Sequence, residues 1–200
     1  MTMFTTPLTA IILAGGQSRR MGQDKALLLI AGIPLIRHVA DRALQVCTQL
    51  LVVTSTPECY RVWLPEAVWV EDLEVGQGPL MGLYSGMRAS QTVWNLALGC
   101  DTPTLDTHWL RGCAEELCQS SVQVHISHSE QGFEPLTAFY HRDVLRAMET
   151  YLAGGQRSFQ HFIPTVPHKL LAQPDLPLQN CNTPEQYTRL RQQLEDPNQS

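Results

Sequence analysis

Between Leu13 and Lys25 the chain reads Leu-Ala-Gly-Gly-Gln-Ser-Arg-Arg-Met-Gly-Gln-Asp-Lys, a string rich in residue types that handle phosphate. Gly15 and Gly16 allow a sharp backbone turn whose N–H groups can approach an anion. Arg19, Arg20 and Lys25 lie within ten residues of them, against one acid, Asp24. Lys25 is one of only two lysines in a 200-residue chain of net charge −5. A local excess of about +2 in an acidic protein suits a polyphosphate. Two standard phosphate motifs do not fit this string. A P-loop has four residues between its glycines and ends in Lys-Ser or Lys-Thr, whereas five separate Gly16 from Gly22 and Ala26 follows Lys25. Nor does the loop contain the dinucleotide pattern Gly-x-Gly-x-x-Gly.

Other candidate residues recur just after apolar runs. Asp101, in Cys100-Asp101-Thr102-Pro103, could ligate Mg²⁺ bridging phosphate oxygens, or form an Asx turn before Pro103. Asp72 follows Val70-Glu71. Gly78-Pro79-Leu80-Met81-Gly82 offers a rigid turn and free N–H groups where a helix begins. Thr183-Pro184 reads as an N-cap followed by proline at the first helical position, which leaves Asn180 and Asn182 without a structural explanation. Arg157 follows Gly154-Gly155. The six cysteines form no Cys-x-x-Cys pair, which points to reduced thiols rather than zinc or disulfides. His125 and His128 lack a third flanking ligand.

The elements that must carry these residues alternate along the chain. Apolar runs at Leu8–Leu13, 50–53, 67–70 and Trp94–Gly99 read as buried strands. Amphipathic stretches predict helices at 34–49, 82–89 and 106–118, the last capped by Asp106. Further on, strands are expected at 122–126 and 136–140, and helices at 142–152 and 183–194. Pro164, Pro167, Pro174 and Pro177, with Pro184 just beyond, limit 163–178 to short strands and loops. This alternation predicts an α/β fold: a mostly parallel, doubly wound (Rossmann-like) sheet with helices on both faces. One domain over 1–195 and a polar tail at 196–200 are expected. Ligands in such folds bind beyond the carboxyl ends of the strands, where all of these candidates fall.

The thirteen-residue string resembles the signature Leu-Ala-Gly-Gly-x-Ser-x-Arg-Met-Gly-x-Asp-Lys of nucleotidyltransferases, and within them the molybdenum cofactor guanylyltransferase (MobA-type) family. Cys-Asp-x-Pro at 100–103, Gly-Pro-Leu-x-Gly at 78–82 and Asn-x-Asn-Thr-Pro-Glu at 180–185 extend the resemblance over nearly the whole chain. It implies transfer of GMP from GTP to the terminal phosphate of molybdopterin with Mg²⁺, giving pyrophosphate and a guanine dinucleotide cofactor. Catalytic roles then fall to Lys25, Arg19 and Asp101, with Asp101 on the metal. Nucleotide contacts fall to Leu13, Ala14, Gly15, Gly16, Lys25, Thr54, Asp72 and Asp101. The pterin side takes Gly78, Pro79, Leu80, Gly82, Arg157, Asn180 and Asn182. The N-terminal half would then bind the nucleotide and the C-terminal half mainly the pterin.

One departure is Thr54-Ser55, where the family commonly has Asn near the nucleotide; a hydroxyl lacks the two donors of an amide. Gly15 separates this chain from cytidylyl relatives, which read Leu-Ala-Ala-Gly, and favours a purine. The alternatives are a relative using CTP or another acceptor phosphate, and a non-catalytic GTP-binding module. Expected partners are small molecules, with other molybdenum-cofactor proteins as further candidates. The acidic balance argues against nucleic acid. The first seven residues lack the basic start of an export signal, and no apolar run approaches a membrane span, so a cytoplasmic protein is expected.

Overall fold

The structure, a computed structural model, describes residues 7–15, 24–72, 74, 76–130, 132–174 and 181–195. The elements follow in the order β1 (Leu8–Leu13), β2 (Leu29–Ile30), β3 (Ile33–Pro34), α1 (Leu35–Ala43), β4 (Gln49–Val53), β5 (Val68–Val70), α2 (Pro79–Ala89) and β6 (Trp94–Gly99). Then come α3 (Thr107–Glu116), β7 (Val124–Ser129), β8 (Gly132–His141), α4 (Val144–Ala153), α5 (Phe159–Phe162), β9 (His168–Leu170) and α6 (Pro184–Glu195).

Seven strands form one sheet in the order β5-β4-β1-β6-β8-β7-β9. All run parallel except β8, which is antiparallel to both of its neighbours. The period of two along each strand divides its side chains between two cores. Leu8, Ala10 and Ile12 of β1 join Leu50 and Val52 of β4 against α1 and α3, where Ile36, Val39, Leu110 and Cys113 cover them. Ile11, Leu51, Val53 and Ala97 face the other way, onto α2, α4 and α5 through Leu83, Met87, Met148 and Phe162. Two-sided burial explains why the central strands read as unbroken apolar runs. The expected mostly parallel sheet with helices on both faces is therefore observed. No helix among the described residues is long and apolar enough to cross a membrane.

Several expected bounds need correction. The helix expected over 34–49 stops at Ala43, because Thr48 already donates both its N–H and its hydroxyl to the Leu8 carbonyl and Gln49 pairs with Thr9. Val46 and Cys47, which continued the apolar pattern, reach the core from a turn. The short hairpin β2–β3, turning through Ala31 and Gly32 at φ +50° and +76°, and the one-turn helix α5 were not anticipated. The helix expected at 82–89 starts at Pro79, β7 occupies Val124–Ser129 rather than 122–126, and β8 runs Gly132–His141 rather than 136–140. Residues 196–200 of the expected tail lie outside the described residues.

Candidate nucleotide site

The carboxyl ends of β1, β4, β5 and β6 lie side by side, and the polar residues just beyond them form the candidate site. Ala14 still belongs to the ladder, its N–H donating to the Val53 carbonyl at 3.0 Å, and Thr54 donates to Val70 at 3.1 Å. Gly15 follows at φ +142°, a conformation that L side chains rarely adopt, and a Cβ there would lie 3.8 Å from Thr54 Oγ1, an ordinary contact. Backbone freedom is thus a reason for glycine at this position. Thr54 is buried, and its hydroxyl oxygen accepts the Thr56 N–H at 3.2 Å.

Asp101 stands two residues beyond β6. Its side chain folds back over the strand end, and a Cβ on Gly99 would lie only 2.5 Å from Asp101 Oδ1. Gly99 is therefore the residue that lets this carboxylate sit there. The other oxygen, Oδ2, pairs with Lys25 Nζ at 2.9 Å. Lys25 lies in a one-turn 3₁₀ helix (Lys25–Leu27) capped by Asp24, whose Oδ1 accepts the Ala26 N–H at 3.0 Å. The Lys25 ammonium also donates to Asn182 Oδ1 at 2.6 Å, and the Cys181 N–H donates to the Asp101 carbonyl at 2.8 Å. Residues 76 and 157 positions apart from Lys25 thus meet at one ammonium.

Asn182 is held by the start of α6. Thr183 Oγ1 accepts the Gln186 N–H at 3.2 Å while Gln186 Oε1 accepts the N–H groups of Thr183 and Asn182 at 3.1 and 2.7 Å, a reciprocal capping box. The helix is anchored by a small cluster of Cys181, Leu190, Ile30 and Leu35, so it packs on the segment that follows Lys25.

The expected pterin-side residues divide. Arg157 donates from Nε to Gln77 Oε1 at 2.9 Å and lies 3.8 Å from Glu74, which ties it to the turn before α2. Its other hydrogen bonds go to the Leu152 and Gln156 carbonyls. Gly78, at φ +89°, caps α2, with Pro79 at the first helical position. Gly82, by contrast, lies against residues expected on the nucleotide side: a Cβ there would sit 3.5 Å from Leu13 and 3.9 Å from Asp72 Oδ2. Asp72 accepts from Ser85 Oγ at 3.4 Å. Leu80, which the resemblance places on the pterin side, has its side chain fully buried in the core with Ile11, Leu51 and Val53. Arg19, Arg20, Gly16 and Asn180 lie outside the described residues.

Burial pushes the Cys100 thiol up to about 12, with the Asp101 charge adding to it, and burial also raises Cys181. Both thiols beside the site are thus protonated at neutral pH. Among the described residues no three His, Cys, Asp or Glu side chains gather as a metal cage. The residue that sequence reasoning missed is Tyr60, whose hydroxyl donates to Asp24 Oδ2. No local motif marks it.

A mostly parallel sheet with a glycine turn and charged side chains along its carboxyl edge is the framework on which nucleotide-handling α/β proteins bind their ligands. Residues 10–169 match the MobA-like NTP transferase domain, and the chain belongs to that family of nucleotidyltransferases. The chain is 37% identical, over 94% of its length and 93% of the relative's, to a probable molybdenum cofactor guanylyltransferase of Nostoc sp.. It is 32% identical, over 92% and 91% of the two chains, to the molybdenum cofactor guanylyltransferase of Syntrophotalea carbinolica. The fold is similar to that of molybdopterin-guanine dinucleotide biosynthesis protein A from Archaeoglobus fulgidus, with a TM-score of 0.75 at 20% identity over 92% and 97% of the chains.

Proposed function

We propose that the protein transfers GMP from GTP to the terminal phosphate of molybdopterin, releasing pyrophosphate. The observation that carries this reading is the convergence on the Lys25 ammonium of Asp101, at 2.9 Å, and Asn182, at 2.6 Å. It joins the glycine-loop segment, a strand-end carboxylate and the Asn-Thr-Pro-Glu segment in one place. Full-length similarity to relatives named molybdenum cofactor guanylyltransferase supports the same acceptor.

In this reaction an oxygen of the acceptor phosphate bonds to the α-phosphorus as the bond to the β-phosphate bridge breaks. The acceptor is already anionic near neutral pH, so alignment and charge stabilisation are the protein's main tasks. The backbone of residues 13–16 cradles the nucleotide, with Thr54 and Asp72 at its sugar and base. Lys25 and Arg19 hold the triphosphate and offset the charge of the departing pyrophosphate. Gly78, Pro79, Gly82, Arg157, Asn180 and Asn182 serve the acceptor, in line with a division between nucleotide and pterin halves within a single domain. A lone strand-end carboxylate completed by substrate oxygens fits Mg²⁺, which commonly binds one or two carboxylates plus phosphates, so Asp101 would hold it. When bound, the ion would neutralise charge on the α-phosphate. A cytoplasmic location and reliance on small-molecule partners accord with this role.

The test is thermal stability with GTP, CTP, ATP and UTP, each with and without Mg²⁺. A ligand at about a hundred times its dissociation constant adds roughly 2.7 kcal/mol. A GTP-selective, Mg²⁺-enhanced rise followed by GMP transfer to molybdopterin is the expected result. A CTP-selective rise would replace the guanylyl assignment with a cytidylyl one. GTP binding without transfer would reduce the protein to a binding module.

A further inference from the structure

Tyr60 lies 36 residues from Asp24, in the loop after β4, and is 1% exposed. Its backbone is pinned by N–H groups from Trp63 and Leu64 at 2.9 and 3.1 Å, and its ring stacks on Trp69 of β5 at 6.5 Å and 10°. A rigid ring therefore delivers its hydroxyl to Asp24 Oδ2. The remaining Asp24 oxygen, Oδ1, caps the turn by accepting from Ala26, and the Asp24 carbonyl accepts the Leu27 N–H at 3.1 Å. Lys25 begins that turn and carries its ammonium to Asp101 and Asn182.

We infer that Tyr60 is a positioning residue for nucleotidyl transfer: its hydroxyl fixes Asp24, and the Asp24 cap fixes the direction in which Lys25 enters the site. The catalytic part of this inference rests on the reading of Lys25 as the triphosphate lysine. A hydroxyl donating to a carboxylate is among the stronger hydrogen bonds, and a misplacement of about 1 Å is enough to slow an aligned reaction strongly. The link also explains why a tyrosine, rather than a purely apolar residue, fills a position in the core cluster that includes Ala26 and Leu64.

The test compares wild type with Tyr60→Phe, Lys25→Ala and the double variant, measuring GMP transfer and backbone amide exchange. Tyr60→Phe keeps the ring and its stacking. The expected result is a kcat lowered about tenfold, with KM for GTP changed less than about threefold. In the Lys25→Ala background the same change should have no further effect on residual single-turnover transfer. Amide exchange should quicken at Ala26, Leu27 and Leu28, whose N–H groups make the turn. An unaltered kcat in Tyr60→Phe, or an undiminished loss on top of Lys25→Ala, overturns the proposal. If wild type performs no transfer, the assigned function falls instead, and amide exchange alone decides. Faster exchange confined to 26–28 then upholds the link from Tyr60 to the turn, and unchanged exchange refutes it.

Discussion

The two sides of the site are built differently. On the nucleotide side, Ala14 and Thr54 remain hydrogen-bonded to the sheet beyond its strand ends, and Asp101 sits two residues past β6. Two large apolar cores hold those strands. On the other side, Asn182 is exposed and is kept in place by the capping box of α6 and by Lys25. Among the described residues, the buried cluster beneath it is Ile30, Leu35, Cys181 and Leu190. One side is preorganised by the fold, and the other is referenced to it through polar contacts. Under the proposed function a two-substrate enzyme would gain from this arrangement, because a fixed triphosphate site could coexist with a separately held arm for a bulky acceptor.

The contrast is broken most directly at Asp101. Asp101→Ala removes the strand-end carboxylate and leaves the Lys25 ammonium without its charged partner. GMP transfer is expected to fall about 10³-fold, close to 4 kcal/mol of transition-state stabilisation, as measured by single-turnover kinetics. Retention of more than a tenth of the activity would remove Asp101 from the reaction. The next effect is on stability. A methyl group at Gly86 would lie 2.5 Å from Ile11 Cγ2 and 2.9 Å from Val53 Cγ2, so Gly86→Ala pushes α2 off the sheet. Denaturant unfolding should show a loss of up to about 3 kcal/mol. An unchanged midpoint would mean that the preorganised side is looser than its packing implies.

What could be read in the sequence follows the same division. The strands Leu8–Leu13 and Trp94–Gly99 are recovered to the residue, because burial on both faces writes them as continuous apolar runs. Asp106 and Thr183 cap their helices as expected, since a cap is a local device. The β2–β3 hairpin escaped notice because Ala31-Gly32 lacks the Asn-Gly or Asp-Gly pair that announces such turns. Tyr60 resembles any core aromatic until the fold brings Asp24 to its hydroxyl. The meeting of Lys25, Asp101 and Asn182 spans most of the chain, and only tertiary structure or the family resemblance could assemble it.

Two smaller changes sharpen the contrast from the arm's side. Leu190 is 2% exposed in a cluster of four, so Leu190→Ala should cost about 2 kcal/mol, felt mainly by the arm. Amide exchange should rise across 181–195 while the main unfolding midpoint stays nearly constant. A full-sized drop in that midpoint would show that arm and sheet unfold as one unit, and the distinction would fail. Ala31 offers the opposite perturbation. It is the one non-glycine residue with positive φ among the described residues, at φ +50°, and its N–H donates to Glu195 Oε1 of α6 at 3.0 Å. Alanine in that conformation carries about 1 kcal/mol of strain, and asparagine, preferred beside glycine in two-residue turns, relieves much of it. Ala31→Asn should therefore tighten the hairpin by about 0.5 kcal/mol. Tyr187 of α6 donates to the Leu29 carbonyl, so a firmer hairpin gives the arm a firmer seat. Placed in the Leu190→Ala background, Ala31→Asn should restore part of the lost amide protection at 181–195. If protection recovers only within 29–34, hairpin and arm are independent, and the contacts of Asn182 with Lys25 and of Cys181 with Asp101 hold the arm to the strand ends.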